Sequence, residues 1–401
     1  MQALRRVWQT PAVSQSLTAR RHFGAAASLK TPLYELHLDM GGKMVDFAGW
    51  SLPVTYKDMG HIDSHLHTRT KASVFDVSHM GQVRLTGKDR VAFIEKLSVG
   101  DMKSLQPQDA RLTVLTNEKG GIIDDCIVTA QENFLHVVIN AGCRDKDIAH
   151  MKKHLAEAKS QGMDVDLDVR DDLALLALQG PSAMKSLQKL LPASIDLTKV
   201  PFMTGILTPV SGIEGCTVTR CGYTGEDGFE ISVPNDSVVS FMKTLLDIEG
   251  VKAAGLAARD SLRLEAGLCL YGHDMDEDTT PVEAGLTWTI GKRRRTEGGF
   301  LGFDAISEQL KNGVERKRVG MLVTGRPARE GAEVVTEGGE KVGRVCSGTF
   351  SPSLGRPVAM AYVKKDFSKA GTKLKCVVGG KGIDAEVSKM PFVPAQYYKV
   401  P

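Results

Sequence analysis

Two hydrophobic patterns occupy different parts of the chain, and together they restrict the folds that it can adopt. Between about residues 80 and 250, segments in which apolar residues alternate are followed by segments in which they recur every three or four positions. The first spacing is typical of β-strands and the second of α-helices. Because the order strand–helix–strand–strand occurs twice, the sequence predicts two α+β units with antiparallel sheets.

The C-terminal part contains short strand patterns and no helical pattern. Such segments recur between residues 319 and 387, and turn sequences such as Gly338-Gly339 and Gly379-Gly380 separate them. Regularly spaced short strands favour a small β-barrel or a β-sandwich. We expect the boundary before this region in the polar stretch 292–316.

The first 30 residues differ from the rest of the chain in charge. They contain Arg5, Arg6, Arg20, Arg21 and Lys30 but no acidic residue, and without them the chain has 46 basic and 48 acidic residues. An Arg-rich, acid-free segment with an apolar helical face is typical of a mitochondrial transit peptide. We therefore expect residues 1–30 to direct the protein to the mitochondrial matrix. A disordered basic tail is the alternative.

The composition excludes several classes of protein. No run approaches the roughly 18 consecutive apolar residues of a membrane-spanning helix, so we expect no membrane insertion. Nucleic-acid binding requires a broad basic surface, which the nearly neutral remainder of the chain does not predict. The basic run 292–295 is either a solvated face or a patch that attracts an acidic partner. Motifs of nucleoside-triphosphate, nicotinamide and zinc-peptidase sites are absent from the sequence.

A pair of acidic residues lies in an apolar strand. Residues 120–128 have the sequence Gly-Gly-Ile-Ile-Asp-Asp-Cys-Ile-Val, so that Asp124 and Asp125 point to opposite faces of a strand. An ionised carboxylate among apolar neighbours is costly unless it is paired, hydrogen-bonded or placed in a polar pocket. Acids in such positions are candidates for general acid–base catalysis. The structural alternative is an acid that caps a turn or pairs with an arginine.

A glycine-rich loop and a strand with a glutamate follow later in the chain. Gly222, Gly225 and Gly228 are spaced by three residues, which predicts a compact loop that lets a ligand approach the backbone. In the next strand the apolar residues face a core and Glu230 points the other way. A carboxylate fixed on a strand can accept two parallel hydrogen bonds from paired N–H donors. A solvated strand face is the alternative.

Two further groups of residues are candidates for binding. Arg259 and Arg263 stand one turn apart on a predicted helix, where they either meet a ligand carboxylate or pair with acids of the chain. His61 and His65, with His67 and Asp63 nearby, have the i, i+4 spacing of a metal site. Because no further ligand motif completes it, we expect no metal there.

Motifs along nearly the whole chain after residue 30 resemble the aminomethyltransferase (T-protein) family of the glycine cleavage system. The stretches that carry this resemblance are Thr31-Pro32-Leu33-Tyr34, Phe47-Ala48-Gly49-Trp50, Phe75-Asp76-Val77-Ser78-His79-Met80, the Asp124-Asp125 strand, Arg220-Cys221-Gly222-Tyr223-Thr224-Gly225-Glu226-Asp227-Gly228, Ala258-Arg259-Asp260-Ser261-Leu262-Arg263 and Lys389-Met390-Pro391-Phe392. The resemblance implies a three-lobed α+β protein. Two lobes are ferredoxin-like α+β units, and the third is a small C-terminal β-barrel. The expected division is a leader at 1–30, a folate-binding region of two interleaved α+β units at 31–300 and the barrel at 315–401.

The resemblance also implies a reaction and a set of site residues. A lipoylated H-protein would carry an aminomethyl group, and tetrahydrofolate would accept its methylene carbon with release of ammonia. By position, Asp125 matches the catalytic aspartate of the family, and Glu230 matches its folate-binding glutamate. Arg259 and Tyr397 match substrate-binding positions, and Tyr223 and Asn140 are expected to line the pocket. The family implies no metal and no flavin, and its partners are the H-protein and the other glycine cleavage components.

Two rival families share the folate-binding module. Dimethylglycine and sarcosine dehydrogenases carry a flavoprotein domain with a dinucleotide fingerprint that this sequence lacks. The folate-binding iron–sulfur assembly factor of the same superfamily is the main alternative. Its Lys-Gly-Cys segment ending in Gly-Gln-Glu is absent here, since Cys269 lies in Gly267-Leu268-Cys269-Leu270-Tyr271.

Overall fold

The computed structural model describes residues 28–400, and nearly all of the predicted leader lies outside the described residues. The first described elements are β1 (Leu29–Lys30), α1 (Tyr34–Asp39), β2 (Gly42–Phe47), β3 (Trp50–Tyr56), α2 (His61–Thr70) and β4 (Ala72–Asp76). Strands β1, β2 and β3 form a small sheet with β3 in the middle, and α2 and the buried strand β4 follow it.

The first α+β unit is an antiparallel sheet with two helices. It comprises β5 (Gly81–Thr86), α3 (Arg90–Leu97), β6 (Ala110–Thr116), β7 (Ile122–Ala130), β8 (Leu135–Ile139), α4 (Arg144–Ser160) and β9 (Asp166–Val169). The strand order is β6-β7-β8-β5-β9. Alternate strand residues such as Val83, Cys126 and Val137 pack with Phe93 of α3 and Met151 of α4 in one core. The period of two in the strands and of three to four in the helices therefore produces the predicted layer arrangement.

The second α+β unit takes one of its strands from an earlier part of the chain. Its elements are β10 (Leu173–Gln179), α5 (Ala183–Gln188), β11 (Thr204–Leu207), β12 (Thr217–Arg220), β13 (Gly228–Pro234), α6 (Asn235–Leu246), β14 (Val251–Ala253) and α7 (Leu256–Glu265). The strand order is β11-β12-β13-β10-β4-β14, and β14 runs parallel to β4. Because β4 precedes the first unit in sequence, the two units are interleaved.

The C-terminal region is a closed barrel, so that of the two predicted alternatives the barrel is confirmed. The strands are β15 (Arg316–Val323), β16 (Glu333–Val335), β17 (Lys341–Ser351), β18 (Arg356–Lys364), β19 (Lys373–Val378) and β20 (Lys381–Ser388). Their order around the barrel is β15-β18-β17-β16-β19-β20. Two helices, α8 (Arg294–Glu297) and α9 (Phe303–Asn312), precede the barrel within the stretch 292–316, where the sequence predicted only a polar boundary.

The predicted mixed α+β class with a C-terminal barrel is confirmed. Helix α7 of the second unit is attached to the barrel, because Arg263 donates a hydrogen bond to Ser347 Oγ of β17 at 2.9 Å. Within the described residues, no helix combines the length and the apolar character needed to cross a membrane.

Candidate active site

A cavity of about 630 Å³ lies between the two α+β units and the barrel, and it contains most of the predicted site residues. Asp125, Asn140, Tyr223, Glu230 and Arg259 all line it. The volume is within the range of about 300–1,000 Å³ that is usual for small-molecule sites. The fold therefore brings together five of the six residues that the resemblance indicated.

Asp125 reaches the cavity because two consecutive residues of β7 point to opposite faces of the sheet. Asp125 is half-buried in the cavity wall, whereas Asp124 is completely buried on the other face. Asn140, which directly follows β8, lies where the β7–β8 ladder ends. Its side-chain amide donates hydrogen bonds to Asp125 Oδ1 at 2.8 Å and to Asp124 Oδ1 at 2.9 Å. One amide thus holds both carboxyl groups.

The surroundings of Asp125 suit a group that transfers protons. Burial and the negative charge of Asp124 raise the pKa of Asp125 to about 7. The hydrogen bond from Asn140 and the charge of Arg259 act in the opposite direction. Because a general acid or base is most effective when its pKa lies near the working pH, Asp125 can give or take a proton at neutral pH.

Glu230 is a second carboxylate of the cavity, on β13. Its neighbours Phe229 and Ile231 point into the core beneath the sheet, so that the alternation of the strand turns Glu230 towards the cavity. Burial raises the pKa of Glu230, and the positive charge of Arg259 lowers it. The alternative that Glu230 lies on a solvated strand face does not hold, because its side chain lines the cavity.

The two arginines of α7 have different roles. Arg263 is buried and pairs with Asp260 at 2.8 Å and with Asp274 at 2.5 Å, which is the internal pairing considered from the sequence. Arg259 lines the cavity instead, with its guanidinium 4.9 Å from the centre of the Tyr223 ring. The Tyr223 hydroxyl donates to the Cys269 carbonyl, which fixes the ring below Arg259.

The buried side chain of Gln179 shapes the glycine loop 222–228. Gln179 donates to the Cys221 carbonyl at 3.0 Å and accepts a hydrogen bond from the Thr224 hydroxyl at 2.8 Å. A Cβ atom at Gly222 or Gly228 would collide with Gln179. Gly222 also lines the cavity. The predicted approach of a ligand to this backbone is therefore possible at Gly222, but packing around Gln179 accounts for the glycines at 222 and 228, and a positive φ of 80° with Ala266 close by accounts for Gly225.

Tyr397 is not among the residues that line the cavity. The C-terminal tail folds back onto the glycine loop, as its expected role requires, and the Gln396 amide donates to the Gly225 carbonyl at 2.8 Å. The Tyr397 ring, however, stacks on Phe202 with 4.1 Å between ring centroids. The structure thus brings Tyr397 close to the loop and leaves it apart from the other five residues.

Sequence reasoning missed two prominent residues of the cavity. Arg318 lies in β15, is nearly buried and donates to the Ala284 carbonyl at 2.9 Å. Trp288 lines the cavity although 60% of its surface is exposed, which places it at the cavity mouth. Neither residue belongs to a local pattern that points to a ligand, and both become candidates only when the barrel is packed against the α+β units.

The histidines of α2 hydrogen-bond to groups of the protein itself. His61 and His65 both hydrogen-bond to Ser261 Oγ, at 2.9 and 2.8 Å, and His65 also bonds to Glu265 at 3.1 Å. His67 donates to backbone carbonyls. These ring nitrogens therefore hold α2 against α7 and neighbouring backbone.

Both interpretations of the basic run 292–295 as a solvent-facing patch are wrong for its central arginines. Arg293 pairs with Glu95 and, at 2.8 Å, with Asp101, while Arg294 is 4% exposed and donates to the Glu95 carbonyl. These contacts attach the run to α3. Only Lys292 and Arg295 are exposed.

We expect Arg294→Ala to lower the free energy of unfolding by about 2–3 kcal/mol, because buried acceptors of a charged donor lose their partner. Lys292→Ala, two positions away and exposed, is the matched control and should leave it unchanged. Denaturant unfolding of both variants measures the difference. Equal stabilities would show that the buried contacts of Arg294 contribute nothing.

Comparison with known proteins gives a consistent set of similarities. The sequence matches the family described as "GCVT N-terminal domain" over residues 33–294 and that described as "Glycine cleavage T-protein C-terminal barrel domain" over residues 316–394. A mitochondrial aminomethyltransferase of Homo sapiens is 55% identical over 370 residues, which cover 92% of this chain and 91% of the relative. One of Flaveria anomala is 53% identical over 384 residues, covering 95% and 93%.

A solved structure is similar over nearly the whole described fold. The crystal structure of the glycine cleavage system aminomethyltransferase T from Bartonella henselae matches with a TM-score of 0.86 at 40% sequence identity. The match covers 93% of this chain and 100% of that one. Both lobes of the N-terminal region and the barrel are therefore shared with that protein.

Proposed function

This chain belongs to the aminomethyltransferase (T-protein) family of the glycine cleavage system, and on that premise we propose that its cavity binds tetrahydrofolate beside Asp125. The protein is a mitochondrial aminomethyltransferase. The alternative function of an iron–sulfur assembly factor is not favoured, because relatives over more than 90% of the chain are named aminomethyltransferases.

The proposed reaction takes a methylene carbon from an aminomethyl group on the lipoyl arm of the H-protein. Nitrogen N5 of tetrahydrofolate attacks the carbon and ammonia leaves, then N10 closes the ring as the carbon–sulfur bond breaks. The products are 5,10-methylenetetrahydrofolate, ammonia and the dihydrolipoyl arm. N5 and N10 each lose one hydrogen, and the leaving amine and the sulfur each need one, so the step depends on a group that moves protons.

The presence of two carboxyl groups with different tasks in one cavity carries this proposal. Asp125, with its pKa of about 7, would accept a proton from the attacking nitrogen and return it to a leaving group. Glu230 would accept hydrogen bonds from the 2-amino group and ring N–H of the pterin, which form a two-donor edge. Arg259 lowers the pKa of both carboxyl groups and so favours the ionised Glu230 that this edge requires.

The remaining site residues complete the proposed pocket. Asn140 orients Asp125, and Tyr223 supports Arg259 from below. The cavity volume leaves room for the end of a lipoyl arm beside a pterin, and the exposed Trp288 at its mouth supports entry from that side. Tyr397 as a substrate-binding residue would require the tail to move away from Phe202, because its ring stacks there now.

Assignments of the regions of the chain and of its partners extend this proposal. We propose that residues 1–30 are a leader for the mitochondrial matrix, that 31–300 form the folate-binding region and that 315–401 form the barrel domain. The glycine cleavage system supplies the partners, and the lipoylated H-protein is the proposed direct one. That the protein needs neither a metal nor a flavin, and binds no nucleic acid, stays a prediction.

The function is tested by supplying the purified protein with aminomethylated H-protein, with and without tetrahydrofolate. We expect ammonia and 5,10-methylenetetrahydrofolate to appear in equal amounts when folate is present. Folate binding without either product would reduce the protein to a folate carrier and contradict the proposal.

We expect Asn140→Ala to move the pH profile of kcat/KM in a defined direction. Without the Asn140 donor the ionised form of Asp125 is less stable, so its pKa rises and the limb that reports it moves to higher pH by about one unit. The activity at pH 7 should fall about fivefold in consequence, because the ionised fraction of Asp125 falls from about one half to about one tenth. A profile that keeps its position would exclude Asn140 as a determinant of this pKa.

A further inference from the structure

Asp147 is a buried acid that lies behind the strand of Asp125. It comes from the first turn of α4, its side chain is 0% exposed, and within residues 28–400 neither of its carboxyl oxygens has a conventional donor. Oxygen atoms of Asp147 and Asp124 and the sulfur of Cys143 lie within 4.8 Å of one another. An ionised carboxylate left in this position would be costly, so the pair requires a physical explanation.

Two buried carboxyl groups within 4.8 Å of each other are expected to carry one negative charge between them, because the charge on one disfavours ionisation of the other. Asp124 is the one supplied with donors, since it accepts the Asn140 backbone N–H at 2.8 Å and the Asn140 side chain at 2.9 Å. Burial and the Asp124 carboxylate raise the pKa of Asp147 to about 11. Burial also raises the pKa of Asp124, but hydrogen bonds from Asp147, Asn140 and Cys143 act in the opposite direction. The proton therefore stays on Asp147, whose hydroxyl can donate to Asp124.

The other charged groups around the pair do not replace this proton. Lys146, the cation whose charge acts on Asp147, donates to the Ile123 carbonyl at 2.8 Å and to the Tyr271 hydroxyl at 2.7 Å, and it pairs with Glu277 at 3.0 Å. The titratable groups that face Asp124 and Asp147 from the neighbouring elements are Asp125, Cys126, Cys143, Lys146 and Tyr271. Burial raises the pKa of the thiols of Cys126 and Cys143, so they stay neutral.

We propose that Asp147 is a positioning residue, which keeps a proton at neutral pH and donates it in a hydrogen bond to Asp124, so that Asp124 stays ionised and orients Asn140 towards Asp125. Asp147 does not touch the cavity and acts through Asp124 and Asn140. The catalytic importance of Asp125 rests on the proposed function, whereas the protonation of Asp147 does not.

The ionised Asp124 has two opposite effects on Asp125. Its charge repels a second charge on Asp125, which favours the protonated form. It also holds Asn140 by two hydrogen bonds, so that one amide hydrogen remains directed at Asp125 Oδ1. The result is an acid whose proton is neither lost entirely nor retained entirely at neutral pH, in a fixed orientation.

Two substitutions of Asp147 distinguish the effect of its hydrogen-bond donor from the effect of filling the same space. Asp147→Asn keeps a donor for Asp124, and we expect the pH profile of kcat/KM to keep its position. Asp147→Leu removes the donor, so Asp124 becomes neutral and the limb that reports Asp125 moves to lower pH by about one unit or more. In an Asp124→Asn background the same Leu substitution should cause no further shift. Equal profiles for the Asn and Leu variants of Asp147 would overturn the proposal.

Infrared spectroscopy tests the proton without any turnover. A protonated carboxylic acid has a C=O stretch that a carboxylate lacks, and the wild-type protein should retain one such band at pH 9, where Asp125 is ionised. The band should be missing from Asp147→Asn, and its absence from the wild type would overturn the proposal even if the enzyme is active. If turnover is absent but the band behaves as expected, the proposed function fails and the protonation of Asp147 stands.

Metal analysis is a separate test of the same proposal. Stoichiometric zinc that is bound by the purified protein and lost in Asp147→Asn would overturn the proposed protonation of Asp147, because a metal would then occupy the place of the proton.

Discussion

Asp125→Asn is expected to lower kcat by about 100- to 10,000-fold, because a positioned general acid–base group typically contributes that factor. The amide has nearly the same shape as the carboxyl group and cannot exchange a proton with the folate nitrogens or the leaving amine. Binding of tetrahydrofolate should change little, since Glu230 rather than Asp125 is proposed to hold the pterin edge. Single-turnover formation of 5,10-methylenetetrahydrofolate from aminomethylated H-protein measures the loss.

The control for this substitution is the stability of the fold. The pKa of Asp125 is raised in the folded state, so its contribution to stability is present at low pH and is lost as the pH rises through about 7. Asp125→Asn cannot ionise, and it should therefore be more stable than the wild type at pH 8 and similar to it at pH 4. Asp168→Asn, an exposed acid on β9 of the same sheet, should alter neither activity nor stability. Near-normal turnover of Asp125→Asn would contradict the catalytic role.

Glu230→Ala is expected to weaken tetrahydrofolate binding by about 100-fold or more, because hydrogen bonds to a charged group contribute about 1.5–3 kcal/mol each. The proposed pterin edge presents two donors to this carboxylate, and both would lose their acceptor. Calorimetric titration of the purified protein with tetrahydrofolate measures the dissociation constant directly.

A graded series distinguishes recognition by Glu230 from a general disturbance of the cavity. Glu230→Gln keeps one acceptor oxygen and replaces the other by a donor, so its affinity should fall between those of the wild type and the alanine variant. Glu214→Ala removes an exposed glutamate in the same unit and should bind like the wild type. Unchanged affinity in Glu230→Ala would remove Glu230 from the folate site.

The parts of the fold that sequence could predict are those set by local periodicity. Alternation in residues 122–128 placed Asp124 and Asp125 on opposite faces, and β7 of the structure has this arrangement. The same period predicted β13 and the strands of the barrel. Local patterns are sufficient there because each strand has one face against a core, and a shift by one residue would expose that face.

Features that depend on distant parts of the chain could not be predicted in this way. Strand β4 pairs with β10, which lies about 100 residues later in the sequence, and no local pattern indicates this partner. Arg259 and Arg263 are equivalent on the helix until Asp274 arrives from the following loop and pairs with only one of them. The role of Gln179 in the glycine loop likewise arises from packing between elements. The cavity forms where three lobes meet, so Arg318 and Trp288 join it without any local pattern.

The most direct test of the account is a crystal structure of this protein with tetrahydrofolate bound. We predict the pterin in the cavity, with its 2-amino group and ring N–H on the Glu230 carboxylate and N5 within hydrogen-bonding distance of Asp125. Folate bound outside the cavity, or with its pterin turned so that Glu230 is unpaired and N5 is remote from Asp125, would contradict the account.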